Sequence, residues 1–320
     1  MNNAEHTYTL PTGVTTITKS MLDEIRTQKH ITHVIIPESV TSIGDSAFRN
    51  CRSLTTITIP ESVTSIGEGA FSECKSLASV TIPDSVTSIG PGVFADCESL
   101  ASVTIPDSVT SIGFTAFLRC KSLTTINIPE SVTSIGKNAF VRCKSLTSVT
   151  IPDRVTSIGD SAFSECKSLN TINIPKSVTS IGNFAFYQCE SLANINIPDS
   201  VTSIGVRVFR ACMRLRYAII PTNLEDKNES YWTEREIDLK QTTLITQNQL
   251  SNCASENKLR KNYPSHELAV LYQLQKDDSF NPSWPELGKL APNLLMGDLL
   301  KVLPEKKISM VLPKIYKHRP

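Results

Sequence analysis

Cysteine is the most reactive residue type in this sequence, and the chain contains nine of them. A thiolate can attack an electrophile, coordinate zinc or form a disulfide. An equal spacing predicts parallel side chains in one row, which can neither surround a zinc ion tetrahedrally nor orient two thiols toward each other. We therefore interpret the evenly spaced cysteines as small buried apolar residues in a reducing compartment. Eight cysteines have this 23-residue spacing: Cys51, Cys74, Cys97, Cys120, Cys143, Cys166, Cys189 and Cys212.

Other candidates for chemistry are few, because the chain has only five histidines. Cys253, His266 and Asp277 could act as nucleophile, base and orienting carboxylate, but no recognisable motif surrounds them. His30 and His33 fall in a predicted strand, where their odd separation directs them to opposite faces. We predict no catalytic residues, no metal site and no cofactor, and hence a protein that is not an enzyme. A cysteine-dependent enzyme in the C-terminal region is the alternative.

A 23-residue repeat must position the cysteine row. Ile57 and Ile59 alternate with Thr56 and Thr58, which predicts a short strand with one buried face. Such self-similarity is typical of a solenoid, in which each coil buries its apolar side against its neighbours. Nine prolines share the spacing: Pro37, Pro60, Pro83, Pro106, Pro129, Pro152, Pro175, Pro198 and Pro221.

The rest of each repeat predicts two further segments. Proline ends the strand because it cannot donate to a ladder, and Val63 and Ile66 then bracket a second extended segment. Gly67 supplies a turn, and a helical or 3₁₀ turn is expected between Ala70 and Cys74.

The repeat, Leu-x-x-Ile-x-Ile-Pro-x-Ser-Val-Thr-Ser-Ile-Gly-x-x-Ala-Phe-x-x-Cys-x-Ser-Leu, strongly resembles the BspA-type leucine-rich repeats. The resemblance implies an α/β solenoid of 23-residue coils with stacked parallel strands. Members of that family are chiefly surface or host-interaction proteins of bacteria and some protists, which bind other macromolecules. The implied function is a non-enzymatic protein-protein interaction, as in a bacterial effector or host-interaction factor.

Four regions are expected along the chain. Residues 1–36 form an N-terminal capping repeat, in which Leu22 and Ile25 stand where the repeat has Phe and Cys. Residues 37–221 form an eight-coil solenoid, and residues 222–236 form a polar linker. Residues 237–320 are expected to be a small all-α region, since leucines recur there at helical spacing between proline-punctuated loops.

A segment within the C-terminal region suggests an alternative function. Residues 291–312 weakly resemble the start of an F-box, the helical segment that docks on a ubiquitin-ligase adaptor. The resemblance implies an adaptor-binding effector, whereas ordinary helix packing is the alternative. The docking positions would be Leu295, Leu299, Leu300, Leu303 and Ile308.

Charge and hydropathy restrict the partners. The formal net charge is +1, which gives no general attraction to nucleic acid or anionic lipid. No apolar stretch approaches the ~20 residues needed to span a bilayer. The N-terminal residues lack the pattern of a signal peptide. We expect a cytoplasmic protein, or one delivered to a host cell by a route without such a signal.

Binding residues are expected where the repeats differ. The outward strand positions, such as Thr56, Thr58, Thr125 and Asn127, are uniformly small and polar. Variation concentrates after the glycine and around the Phe-x-x-Cys turn, where apolar residues replace polar ones. These positions form either a docking surface for another protein or a site covered by the C-terminal region. We call them the turn ridge: Phe114, Leu118, Val141, Phe184, Tyr187, Val206 and Arg207.

Overall fold

Each repeat folds into one coil with three sides, formed by two short strands and a series of turns. The computed structural model of the protein describes residues 6–28, 30–224, 229–235, 237 and 243–246. Successive coils stack in parallel, as the repeat predicts. The structure is therefore a solenoid whose strands are short and whose helical content in the described residues is small.

The first side of the coils is formed by four successive parallel sheets of two or three strands, here named together the first sheet. Its middle residues face the core and their neighbours face solvent, as in Thr56, Ile57 and Thr58. Its strands are β1 (Thr7–Thr9), β3 (His33–Ile35), β5 (Thr56–Thr58), β7 (Ser79–Thr81), β8 (Ser102–Thr104), β10 (Thr125–Ile126), β12 (Ser148–Thr150), β14 (Thr171–Asn173), β16 (Asn194–Asn196), β18 (Tyr217–Ile220) and β19 (Thr243–Thr246).

The second side forms two further parallel sheets from two-residue strands that end at the repeat glycine. Glycine is required there by close approach: a Cβ on Gly136 would lie 2.6 Å from the carbonyl carbon of Gly113. The strands are β2 (Thr16–Ile17), β4 (Ser42–Ile43), β6 (Ser65–Ile66), β9 (Ser111–Ile112), β11 (Ser134–Ile135), β13 (Ser157–Ile158), β15 (Ser180–Ile181) and β17 (Ser203–Ile204).

The third side is a ladder of single turns, at the place where the sequence suggested a helical or 3₁₀ turn. The amides of Ala70, Ser72 and Cys74 each donate to a carbonyl three residues earlier. The alternate amides, those of Gly69, Phe71 and Glu73, donate to the next coil at 2.8–2.9 Å. Left-handed residues at two places in each coil prevent a helix, for example Gly69 with φ 59° and Glu73 with φ 62°. We call this side the turn ladder.

A single apolar core runs along the inside of the stack. Eight phenylalanines, from Phe48 to Phe209, lie there with at most 1% exposure. Adjacent rings stack with centroids 5.1–6.0 Å apart and planes within 14° of parallel. The stack of rings joins the isoleucines, valines and leucines of both sheets into one continuous interior.

A side chain of the first coil caps the N-terminal end of the stack. It contains a 3₁₀ turn (Ser20–Leu22) followed by helix α1 (Asp23–Thr27), and both Leu22 and Ile25 are buried. The guanidinium of Arg26 donates to the carbonyls of Ala47 and Arg49, at 2.5 and 2.8 Å. The equivalent carbonyls in the next coil accept amides of the turn ladder. The Arg26 guanidinium thus takes the place of the turn-ladder amides that other coils provide.

The solenoid extends beyond the predicted end at residue 221. β19 pairs in parallel with β18, with Ala218 opposite Leu244, so one longer coil follows the eight repeats. A 3₁₀ turn (Thr222–Leu224) and helix α2 (Glu229–Glu234) lie in the stretch interpreted as a linker, and Trp232 is buried in the core. β19 also falls within the stretch for which we predicted helices. Ala218 and its partner Leu244 are 26 residues apart, so a search for a 23-residue repeat does not detect this coil.

Candidate functional site

The thiol row is a structural element of the core. All eight of its cysteines are free, and seven of them are buried, with Cys212 half-buried. The thiol of Cys143 donates to the carbonyl of Phe117 at 3.2 Å, and each thiol from Cys74 to Cys212 makes the equivalent contact at 3.0–3.2 Å. The row therefore satisfies one carbonyl per coil within the core.

Burial makes these thiols poor nucleophiles. It raises the pKa of Cys51 to about 11 and the pKa of Cys97, Cys143 and Cys212 to about 12. It also raises the pKa of Cys74, Cys120, Cys166 and Cys189 well above the usual value. Because the thiolate is the reactive form, the row cannot supply a nucleophile near neutral pH.

Two other candidate groups from the sequence lie outside the described residues. These are the Cys253, His266 and Asp277 set and the F-box-like segment with Leu295, Leu299, Leu300, Leu303 and Ile308. In the part of the chain that the structure describes, no three histidine, cysteine or acidic side chains are grouped so as to hold a metal ion. No described helix is long and apolar enough to cross a membrane.

The turn ridge forms two groups along one side of the solenoid. In the first group, Leu118 and Val141 occupy equivalent places in adjacent coils, and the amide of Arg119 donates to the carbonyl of Val141 at 2.7 Å. Both side chains are half-buried. Phe114 lies in the same coil as Leu118, and half of its surface is exposed. The three residues place apolar surface beside solvent.

The second group is held together by side-chain contacts. The rings of Phe184 and Tyr187 meet edge to face with centroids 6.0 Å apart. The guanidinium of Arg207, in the next coil, lies 5.8 Å from the centroid of Phe184. Val206 is 42% exposed beside it. One coil separates the two groups. In that coil the buried Ser164 occupies the position equivalent to Tyr187.

Phe184 occupies a backbone conformation that is unfavourable for a bulky side chain. Its φ is 56°, in the left-handed region, where a non-glycine residue costs roughly 1–2 kcal/mol. Every other repeat coil has a left-handed residue at this position, and Phe184 is the aromatic one among them. The others are Ser46, Gly69, Gly92, Thr115, Asn138, Ser161 and Arg207. A large aromatic side chain at a strained position is characteristic of functional sites.

A polar groove lies at the corner between the two sheets, and our sequence analysis did not identify it. Its lining includes Asn173, Lys176, Asn196 and Asp199. Two departures from the repeat could have revealed it. Asparagine replaces the threonine of most coils at 173 and 196, and Lys176 interrupts the row of acidic residues after the prolines.

Charged side chains tie neighbouring coils together around the ridge. Arg119 pairs with Asp96 at 3.2 Å, and Arg142 pairs with Glu165 at 2.8 Å. Carboxylates also accept amides of the following coil, as between Asp160 and the amide of Asn183 at 2.9 Å. These partly exposed ion pairs border the ridge, and each contributes little to stability, about 0–1 kcal/mol.

Stacked parallel strands, a buried ring row and repeat leucines define the protein as a leucine-rich repeat solenoid. The sequence model of the BspA type Leucine rich repeat region matches residues 26–147 and 133–259, in six copies. The chain belongs to this family. The match also extends past residue 221, in agreement with the additional coil. This fold fits a protein-interaction role, because solenoids present extended surfaces to other molecules.

Solved structures of bacterial leucine-rich repeat proteins resemble this chain. One is the T. pallidum protein TpLRR, at 29% identity over 67% of this chain and 86% of that one, with a TM-score of 0.47. A second, from Eubacterium ventriosum, is 27% identical over 67% of each chain, with a TM-score of 0.47. A third, a leucine rich cell surface protein from Faecalibacterium prausnitzii, is 28% identical over 72% of this chain and 90% of that one, with a TM-score of 0.34. No curated protein matches the sequence.

Proposed function

We propose that this chain is a non-enzymatic binding protein whose partner is another protein that docks on the turn ridge. The strained Phe184 is the main support for this proposal. Its aromatic ring, the edge of Tyr187 and the guanidinium of Arg207 form one group at the surface. Aromatic and arginine side chains dominate the energetics of protein interfaces, so this group is suited to anchor a partner.

The proposal includes a host-interaction role, because the family resemblance implies one. Such a partner would be recovered from a host lysate by the intact chain. The ridge offers apolar side chains bordered by ion-paired charges, a composition that matches the apolar centre and polar rim of protein interfaces. Leu118 and Val141 would extend the contact along the stack.

Replacing Phe184 with asparagine separates function from stability. Asparagine tolerates the left-handed conformation, as Asn138 does with φ 59°. We expect the melting temperature to stay constant or to rise by a few degrees, since strain is removed. Affinity for the recovered partner should fall at least ~10-fold, because an aromatic anchor is lost. Differential scanning calorimetry and surface plasmon resonance measure the two effects.

Ser161→Asn is the matched control. Ser161 occupies the same position one coil earlier, with φ 53°, but has no aromatic side chain. It should leave both the melting temperature and the affinity unchanged. A Phe184→Asn protein that melts earlier and binds as tightly as wild type would show that Phe184 stabilises the solenoid and does not bind a partner.

A further inference from the structure

Ion pairs join charged side chains of neighbouring coils at two positions of the repeat, directly before and directly after the cysteine. Glu98 shows the arrangement, since it lies between Lys75 of the coil before and Lys121 of the coil after, at 3.2 and 2.7 Å. Hydrogen bonds from Lys121 and Lys75 lower the pKa of Glu98. Opposite charges in adjacent coils thus attract each other along the stack.

Two coils in the middle of the stack depart from this arrangement. Residues 114–122 and 137–145 cover the turn ladder in these coils, and they include five cations and no acidic side chain. Stacking places like charges side by side, because the amide of Ser145 donates to the carbonyl of Lys121 at 3.2 Å. Neighbouring coils are ~4.8 Å apart, so these cations repel each other. We call the five residues the basic patch: Arg119, Lys121, Lys137, Arg142 and Lys144.

Among the described residues, the anionic partners of the basic patch lie in the flanking coils. Cations of the earlier coil pair with the coil before it, and cations of the later coil pair with the coil after it. The patch is therefore a positive area two coils wide, roughly 10 Å, between two negative borders. The bordering carboxylates are those of Asp96 and Glu98 on one side and Asp160 and Glu165 on the other, at 2.7–3.4 Å from their partners.

The patch retains unused donors. Lys144 is exposed, and no described carboxylate lies within ion-pair distance of it. Its neighbours at the equivalent position are Lys121 and Lys167, and both pair with glutamates of other coils. Arg119 and Arg142 each use one nitrogen in their ion pair, so their other N–H groups can still bind an anion.

Apolar surface adjoins these cations. Leu118 and Val141 immediately precede Arg119 and Arg142 in the chain, and both are half-buried. Phe114 lies in the coil of Leu118, with half of its surface exposed. A ligand on the basic patch is therefore within reach of apolar side chains as well as cations.

An acidic segment of a protein fits this combination better than a nucleic acid does. Its carboxylates can be few and close together, so they match a positive area only two coils wide. A nucleic acid is charged along its whole length and would meet the negative borders where it leaves the patch. It also lacks aliphatic side chains to cover Leu118 and Val141.

We propose that the basic patch binds an acidic segment of the partner protein, in which carboxylate side chains flank apolar ones. The carboxylates pair with Lys144 and with the unused nitrogens of Arg119 and Arg142. The apolar side chains pack on Leu118 and Val141. This inference rests on the docking on the turn ridge proposed above, and it specifies the chemistry of the partner there.

Reversing the charge of Lys144 tests the proposal without breaking an ion pair of the described residues. The new carboxylate of Lys144→Glu lies between two lysines, so the melting temperature should stay within about 2 °C of wild type or rise. The probe is a short fluorescent peptide that alternates glutamate and leucine, and fluorescence anisotropy measures its affinity. We expect Lys144→Glu to weaken binding at least ~10-fold. Affinity for wild type should also fall as the salt concentration rises.

Arg154→Glu is the matched control. It makes the same change in net charge at an exposed side chain, but Arg154 lies between β12 and β13, away from the turn ladder. It should change the affinity for the peptide less than ~2-fold. Three results would overturn the proposal: no binding of the peptide to wild type, equal affinities in the two variants, or tighter binding of a single-stranded DNA of equal charge. The last result would assign the patch to nucleic acid.

The recovered partner distinguishes a failure of this inference from a failure of docking on the ridge. Phe184→Asn and Lys144→Glu should both weaken its binding. If only Phe184→Asn does so, docking on the ridge stands and the acidic segment is wrong. If only Lys144→Glu does so, the acidic segment stands and Phe184 is not an anchor. If neither does, docking on the ridge is wrong, and the inference fails with it.

Discussion

Replacing Phe140 with alanine is expected to lower the free energy of unfolding by about 3–5 kcal/mol. The Phe140 ring is completely buried and lies between Phe117 and Phe163, at centroid distances of 5.3 and 5.4 Å. Both neighbours stack on it with planes within 3° of parallel. Alanine would leave a cavity between two rings that the backbone ladders hold in place. Urea unfolding followed by circular dichroism measures the loss.

Phe114→Ala is the control for side-chain type. Phe114 lies one coil from Phe140, but half of its surface is exposed. Its removal should cost less than about 1 kcal/mol, because little apolar surface returns to water. Equal losses in the two variants would mean that the ring stack does not stabilise the solenoid.

Raising the pH above about 9 is expected to unfold the protein within roughly one to two pH units. The thiols of the row keep their protons in the folded state, where burial raises the pKa of Cys143, for example, from 9.0 to about 12. Their folded pKa lies above the unfolded pKa, so the stability they provide is complete below about pH 9 and decreases as the pH rises. Each thiol contributes ~1.4 kcal/mol per pH unit in this window.

The effect is large because the eight thiols act in the same direction. Together they should lower the stability steeply as the pH rises, and the whole stability of a domain is only ~5–15 kcal/mol. The ultraviolet absorbance of the thiolates and the near-ultraviolet circular dichroism should therefore change together.

Serine substitution tests this cause of the pH dependence. Cys143→Ser keeps a donor for the carbonyl of Phe117 but does not titrate. A triple variant with Cys120→Ser, Cys143→Ser and Cys166→Ser should unfold at a higher pH and release fewer protons. A Cys253→Ser background removes the ninth thiol from the measurement. Thiolate formation near pH 9 in a protein that stays folded would contradict the account.

The repeat determines most of the fold. Alternation around Ile57 predicts which strand residues are buried, and equal spacing predicts a parallel row of thiols. Both predictions are confirmed, because each depends only on the periodicity of the backbone. The protonation state of the thiols can also be predicted from the repeat, because burial in a continuous apolar core favours the neutral thiol.

Other features depend on contacts between distant residues. Left-handed residues such as Glu73 and Arg119 have no sequence signature, and they divide the expected helical or 3₁₀ turn into the single turns of the turn ladder. Arg26 caps the first coil through carbonyls more than twenty residues away. The last coil differs in length and in its buried residue, Trp232, so a search for a fixed period ends too early.

The arrangement of the turn ridge also depends on contacts between residues that are distant in the sequence. The sequence identifies residues that depart from the repeat, but only stacking assigns them to two groups. Phe184 and Arg207 are in contact because they occupy the same position in adjacent coils. The strain at Phe184 is likewise visible only in the backbone.

The most direct test compares two double variants of the 320-residue chain by their affinity for a recovered partner. Phe184→Ser with Tyr187→Ser removes the aromatic group of the ridge, whereas Asn127→Lys with Asn173→Lys places charge on the exposed sheet. We predict a loss of ~100-fold or more for the first and less than ~3-fold for the second, with both proteins folded. Retained binding in the ridge variant together with lost binding in the sheet variant would contradict docking on the turn ridge.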